Sequence, residues 1–112
     1  MTPLIPILLY HGVSTRDSYA VAPADFARHA AAIAACGRTA LTMSELADGL
    51  RGVRALPELC VAITFDDGYR DTVGAIETLR THGLRSTLYI TSGCVGDAGA
   101  ITAEQIGTLA GG

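Results

Sequence analysis

The stretch CVAITFDDGYRDT, residues 60 to 72, joins an almost wholly apolar run to two adjacent carboxylates, Asp66 and Asp67. An apolar run of this length, followed by a turn signal, predicts a strand buried on both faces, as in a parallel sheet covered by helices. Functional groups of α/β proteins gather at the carboxyl ends of such strands, where loops lead into helices. The sequence therefore places an acidic pair where a parallel sheet would carry a site.

Strand and helix patterns alternate on both sides of this stretch. Leu4 to Tyr10 is another continuous apolar run and predicts a second strand buried on both faces. The other elements predicted from periodicity are a helix over 23–36, a strand over 39–41, a helix from 43 to about 52, a helix from about 69 to 82, a strand over 85–91 and a helix starting near 102. This alternation predicts an α/β fold with parallel strands, flanking helices and right-handed crossovers.

Local signals mark the ends of several of these helices. Pro23 suits the first turn of a helix, and Gly37 suits the residue that follows its last turn. Thr42 and Glu45 have the Thr-x-x-Glu spacing of a capping box, and residues 102 to 105 repeat this pattern with a glutamine.

Composition limits the size and the partners of the protein. The 112 residues fit one small domain or part of one. Apolar residues make up 49% and the mean hydropathy is +0.35, which is rich for a small self-contained domain and indicates a piece of a larger fold. The net charge is −3, and all eight cationic residues are arginines without a basic cluster. Nucleic acids and anionic membrane surfaces are therefore poor candidates as partners.

Cysteines and apolar segments exclude further classes. Cys36, Cys60 and Cys94 have no Cys-x-x-Cys spacing, so they predict small buried residues, not a disulfide framework or a zinc ribbon. The first residues lack the positive region and the cleavage site of a signal peptide. No run reaches the roughly 18 apolar residues of a membrane span.

The acidic pair has two competing interpretations. Gly68 permits a sharp turn, so the carboxylates of Asp66 and Asp67 can face one pocket, where like charges are stable only beside a cation. A divalent metal ion would serve, one carboxylate binding it and the other accepting a proton from its water. In the alternative, Asp67 caps the helix near Tyr69, while Asp66 forms a turn or pairs with Arg70.

Several segments together resemble one enzyme family. Thr64-Phe65-Asp66-Asp67-Gly68 resembles the first signature of the polysaccharide deacetylases, the chitooligosaccharide deacetylase-like carbohydrate esterase family 4. Tyr10 to Val13, Arg85 to Ile90 and Ile101 to Ile106 follow in the order of that family. The resemblance implies that residues 1–112 form the N-terminal part of a single deacetylase domain, with a partial (β/α) barrel.

The resemblance also implies an activity. Members of the family are metal-dependent hydrolases that remove N-acetyl groups from an amino-sugar polysaccharide or oligosaccharide. By analogy, Asp66 would be the catalytic base and Asp67 would bind a divalent metal, usually zinc. His11 follows the first strand on the same edge of the sheet, where it either lines the pocket or belongs to a plain loop.

The remaining site residues of the family are expected beyond residue 112. They are two metal-binding histidines in a His-Ser/Thr-x-x-His motif, an arginine that orients the base and a histidine that protonates the leaving amine. A catalytic zinc site needs about three protein ligands, and this sequence supplies only Asp67 in the right context. His29 and His82 lack a second histidine at helical spacing and are predicted to be structural or solvated. The isolated chain is therefore expected to be inactive.

Two other classes compete with this interpretation. A receiver-like phosphoacceptor domain would also be α/β with paired acids, but it would carry them near its start and a lysine on a later strand, and the sequence has no lysine. A non-catalytic fragment could self-associate through exposed strand edges, because unpaired strands are templates for pairing.

Overall fold

The computed structural model describes residues 4–15 and 19–110. Within them, parallel strands form one sheet and helices flank it, which confirms the predicted α/β architecture. The strands are β1 (Ile7–Tyr10), β2 (Thr39–Leu41), β3 (Cys60–Phe65) and β4 (Thr87–Leu88). The helices are α1 (Pro23–Ala35), α2 (Met43–Leu50), α3 (Thr72–Thr81) and α4 (Ala103–Ala110), and a short 3-10 turn spans Ser92–Cys94. Among the described residues, none of the helices has the length and apolar character of a membrane span.

Strand β3 is the centre of the sheet. Its residues 62–65 pair with β1 on one side, whereas residues 60–62 pair with β2 and residues 64–65 with β4 on the other side. All six β3 residues are buried, as the apolar run predicts. The hydroxyl of Thr64, the polar residue of the run, donates to the carbonyl of Leu8 at 2.9 Å. Because its polar group is satisfied in this way, Thr64 is tolerated inside the core.

Strand β1 differs from its prediction. It begins at Ile7, later than predicted, and Ile7 and Leu9 are 53% and 56% exposed. In the described part of the chain, β1 pairs only with β3, so it forms an edge of the sheet. The prediction of a strand buried on both faces is therefore wrong for β1. Association through this edge remains a prediction, because no partner chain is present.

Other boundaries are also shorter than predicted. β4 spans two residues instead of the predicted 85–91, and α3 begins at Thr72 instead of near residue 69. The start of α3 is delayed because Tyr69 forms an antiparallel bridge with Ala100 and is held outside the helix. Among the cysteines, Cys60 is buried as predicted, whereas Cys36 and Cys94 are exposed, contrary to the prediction.

Both predicted capping boxes are present. The Thr42 hydroxyl accepts from the Glu45 amide at 3.2 Å, and the Glu45 carboxylate accepts from the Thr42 amide at 3.0 Å. Thr102 and Gln105 exchange the same pair of hydrogen bonds at 2.9 and 3.1 Å. Each box satisfies amide groups that the first turn of a helix leaves without a partner.

Glu45 also ties α2 to two distant segments. Its second carboxylate oxygen accepts from Arg85 at 2.7 Å and from Arg54 at 3.1 Å. The hydrogen bond from the Thr42 amide, then the interaction with the Thr42 side chain and the two guanidinium groups, hold the pKa of Glu45 below its usual value against the opposing effect of burial. A carboxyl group with a lowered pKa in the folded state stabilises the fold when it is ionised.

We expect Glu45→Ala to lower the free energy of unfolding by about 1 kcal/mol at pH 7, mainly through the lost cap, since exposed ion pairs contribute little. The lowered pKa gives the sign of the pH dependence. The contribution of ionised Glu45 to the free energy of unfolding is complete above the pKa of Glu45 in the unfolded chain, and it is lost as the pH falls through the pKa in the folded state. Urea unfolding at pH 7 and at acidic pH measures it. Glu77→Ala, at an exposed glutamate of α3, is the control, and an equal loss in both variants would contradict the assignment.

Candidate active site

The register of the sheet brings the predicted site residues to one edge. Tyr10 of β1 and Leu88 of β4 lie opposite Phe65 of β3, so His11, Asp66 and Tyr89 follow at the same level. The Asp66 amide donates to the Tyr10 carbonyl at 2.9 Å, and the Tyr89 amide donates to the Phe65 carbonyl at 2.8 Å. The backbones of His11 and Asp66 are therefore neighbours at the carboxyl edge, as the parallel arrangement predicts.

The backbone turns sharply directly after Asp66. Asp67 and Gly68 have φ angles of 75° and 73°, and Asp67 is the one non-glycine residue with a positive φ in the described ranges. This conformation costs an L-residue about 1–2 kcal/mol, although aspartate tolerates it better than most. Gly68 is buried, as the predicted glycine turn requires, and a Cβ there would lie 3.3 Å from Cγ2 of Ile90. Backbone strain of this kind concentrates at functional sites.

Neither carboxylate of the acidic pair has a protein partner within the described residues. Asp66 is half-buried and Asp67 is exposed, and no hydrogen bond or ion pair of their side chains occurs there. The capping interpretation fails, because α3 begins at Thr72 and its N-cap residue is Asp71. The predicted contact of Arg70 with an aspartate is replaced by a hydrogen bond from its Nε to the Ala100 carbonyl at 3.0 Å.

A depression of about 510 Å³ opens beside the acidic turn. Its lining residues are Asp67, Gly68, Tyr69, Thr91, Cys94, Asp97, Ala98, Gly99 and Ala100. Asp67 therefore contributes to this depression, whereas Asp66 and His11 are not among its lining residues. The 91–101 loop forms the opposite wall, and the Ile101 amide holds it to the Gly68 carbonyl at 2.9 Å.

Asp71 connects the acidic turn with the loop that carries His11. Its Oδ1 accepts from the Val13 amide at 3.0 Å, although the two residues are 58 positions apart. A Cβ at Gly12 would lie 3.7 Å from both carboxylate oxygens, so Asp71 packs closely on this backbone. Asp71 occupies the N-cap position of α3 but makes no capping bond with its side chain. Asp71 was not predicted as a site residue, because its contact with Val13 leaves no pattern in the local sequence.

The three histidines occupy different surroundings. His11 is half-buried, and its ring centroid lies 6.2 Å from that of Tyr19. His29 Nδ1 lies 3.0 Å from the Tyr10 hydroxyl, which gives His29 the structural role predicted for it. His82 is the C-cap residue of α3, as its position before a glycine predicts.

The donor set of the described residues is smaller than a complete metal site. No group of three or more histidine, cysteine, aspartate or glutamate side chains in the described ranges could hold a metal ion. Catalytic zinc sites use three protein ligands and keep one position open. Asp67 is exposed and has no side-chain partner among residues 4–15 and 19–110, so its carboxylate suits a single metal ligand. The described residues alone do not fit a whole centre.

No family model matches the sequence. A curated relative, named "Putative polysaccharide deacetylase YxkH", from Bacillus subtilis (strain 168), is 33% identical over 107 residues. The match covers 95% of this chain and 38% of the relative. This chain therefore spans little more than a third of that protein's length.

Solved structures share the fold. IcaB from Ammonifex degensii is 27% identical with a TM-score of 0.85, and the match covers 96% of this chain and 48% of IcaB. The Streptococcus pyogenes deacetylase PplD, solved in complex with acetate, is 24% identical with a TM-score of 0.84, and the match covers 98% of this chain and 54% of PplD. Over nearly its whole length, this chain thus has the sequence and fold characteristics of the polysaccharide deacetylases, which confirms the resemblance predicted from its motifs.

Proposed function

We propose that this chain is part of a metal-dependent hydrolase that removes N-acetyl groups from an amino-sugar polysaccharide or oligosaccharide. One observation carries the proposal: the strained acidic turn lies at the carboxyl end of β3, and neither carboxylate has a protein partner within the described residues. The half-buried Asp66 carboxylate has lost part of its hydration without gaining a protein partner within the described residues, and such groups are common at functional sites. The similarity to polysaccharide deacetylases supplies the class of reaction.

Asp66 is proposed as the general base. Its backbone is fixed by the hydrogen bond to Tyr10, and its half-buried carboxylate is free to accept a proton from an attacking water molecule. The water oxygen bonds to the acetyl carbon as its proton passes to Asp66, and the carbon–nitrogen bond breaks as a proton is delivered to the departing nitrogen, so that acetate and a sugar amine are the products. A positioned base of this kind accelerates a reaction by about 100- to 10,000-fold.

Asp67 is proposed as one ligand of a divalent metal, with zinc as the expected ion. When bound, such an ion polarises the acetyl carbonyl and makes hydroxide available near neutral pH. Its other ligands would come from residues outside the described ranges. His11 is proposed to line the pocket around Asp66, outside the depression that Asp67 lines, and the hydrogen bond between Val13 and Asp71 holds the loop of His11.

A hybrid protein tests the proposal. In it, residues 1–112 replace the matching 48% of the Ammonifex degensii IcaB chain, so that the rest of a deacetylase domain is present. We expect this hybrid to release acetate from an N-acetylglucosamine oligomer, and a chelator to stop the release until zinc is added back. The 112-residue chain alone should release none, because its described residues lack a complete ligand set.

Two results would contradict the proposal. A hybrid that unfolds cooperatively in urea but releases no acetate would remove the hydrolase assignment. Chelator-sensitive acetate release by the isolated chain would instead show that the ligand set is complete without further residues. Acetate can be measured by a coupled enzymatic assay in both cases.

A further inference from the structure

The depression beside Asp67 contains polar groups that the fold does not use. The side chains of Asp67, Tyr69, Thr91 and Asp97 all line it, and none of them makes a hydrogen bond within the described residues. Its volume of about 510 Å³ lies in the range of roughly 300–1,000 Å³ that is typical of small-molecule sites. The rest of the lining is made of small residues, which leave the space open.

Tyr69 presents a large ring to this space. Tyr69 is 37% exposed although it is a large aromatic residue, and its backbone is fixed by the antiparallel bridge to Ala100. The Arg70 amide donates to the Gly99 carbonyl at 2.9 Å, next to the bond from Arg70 Nε to Ala100. These contacts hold the acidic turn and the 91–101 loop together. The wall that carries Tyr69 is therefore preorganised, which reduces the entropy cost of binding.

The charges of the lining exclude some ligands. Two carboxylates, of Asp67 and Asp97, face the depression, and no arginine or histidine is among its lining residues. An anionic ligand such as a phosphate or a uronic acid would be repelled here. A neutral or cationic ligand with hydroxyl groups and an apolar face would fit, because the hydroxyls can bond to the carboxylates and to Thr91 while the apolar face contacts the ring.

We propose that this depression is a binding subsite for one sugar ring of an amino-sugar polymer, with Tyr69 as the stacking platform. The proposal rests on the proposed function, which supplies the class of polymer. The C–H face of the sugar lies on the Tyr69 ring, and Asp97 and Thr91 bond to its hydroxyl groups. The neighbouring unit of the same polymer then lies toward Asp66, so the subsite sets which bond reaches the base.

Binding to the 112-residue chain tests this subsite without catalysis. The chain is labelled with nitrogen-15 and titrated with a trisaccharide of N-acetylglucosamine, and amide chemical shifts are followed by NMR. We expect saturable shifts at residues 67–69 and 97–100. Tyr69→Ala should raise the dissociation constant about five- to tenfold, which corresponds to the loss of one aromatic contact. Tyr69→Phe keeps the ring and should change the dissociation constant by less than about twofold.

Leu59→Ala is the control, because Leu59 is 50% exposed, precedes the opposite end of β3 and lies outside this depression. A glucosamine trisaccharide shows whether the subsite takes a deacetylated unit, and a galacturonic acid trisaccharide should not bind. Shifts confined to other parts of the chain, no saturation at millimolar ligand, or equal losses for Tyr69→Ala and Leu59→Ala would overturn the subsite. If the 112-residue chain binds the trisaccharide as expected but the hybrid releases no acetate, the subsite is supported and the hydrolase assignment is rejected.

Discussion

Asparagine in place of Asp66 should lower the rate of acetate release by the IcaB hybrid about 100- to 10,000-fold, the loss that follows removal of a general base. Asparagine has nearly the same shape as aspartate but cannot take a proton from water. The backbone position of residue 66 depends on the hydrogen bond that its amide donates to the Tyr10 carbonyl, and the substitution leaves this hydrogen bond intact. The fold should therefore survive while the reaction stops.

Asp67→Asn separates the two proposed roles. It should also abolish activity, but it should lower the bound zinc measured by atomic absorption, whereas Asp66→Asn should leave the zinc content near that of the unsubstituted hybrid. Asp48→Asn, at an aspartate that pairs with Arg51 on α2, provides a control with full activity. Full activity of Asp66→Asn, or loss of zinc from Asp66→Asn alone, would contradict the assignment of base and ligand.

The central part of the fold follows from local sequence. Cys60 to Phe65 is apolar at every position but one. A strand of this kind has no polar face that could lie in solvent, so β3 is buried at the centre of the sheet. The parallel register then requires that Asp66 and the residue after β1 meet at one edge. The capping boxes were equally predictable, because their hydrogen bonds join residues three positions apart.

Other features depend on contacts that no local pattern contains. The apolar residues of β1 resemble those of β3, yet Ile7 and Leu9 are exposed, because burial depends on which elements cover a strand. The hydrogen bond between Asp71 and Val13 joins two loops that are far apart in sequence, so the residues around Asp71 give no sign of it. Similarly, the delayed start of α3 results from the pairing of Tyr69 with the 91–101 loop.

Gly68→Ala should be the most destabilising single-methyl change at the site, with a loss of about 2–4 kcal/mol in the free energy of unfolding. The left-handed conformation contributes about 1–2 kcal/mol of this cost for a residue with a Cβ. The new methyl group would also lie 3.3 Å from Cγ2 of Ile90, closer than an ordinary van der Waals contact, and overpacking costs typically about 1–3 kcal/mol, with one such contact at the lower end. Urea unfolding followed by circular dichroism measures the change.

Gly74→Ala makes the same chemical change in the opposite surroundings. Gly74 lies on the exposed side of α3, and a Cβ there would meet no atom within 4 Å. Alanine should therefore raise stability by about 0.5–1 kcal/mol, since glycine is a poor helix former. If Gly68→Ala proved as harmless as Gly74→Ala, the turn would be able to relax. Asp67 would then not be held in its strained position by the fold, and the structural basis for its proposed role would be lost.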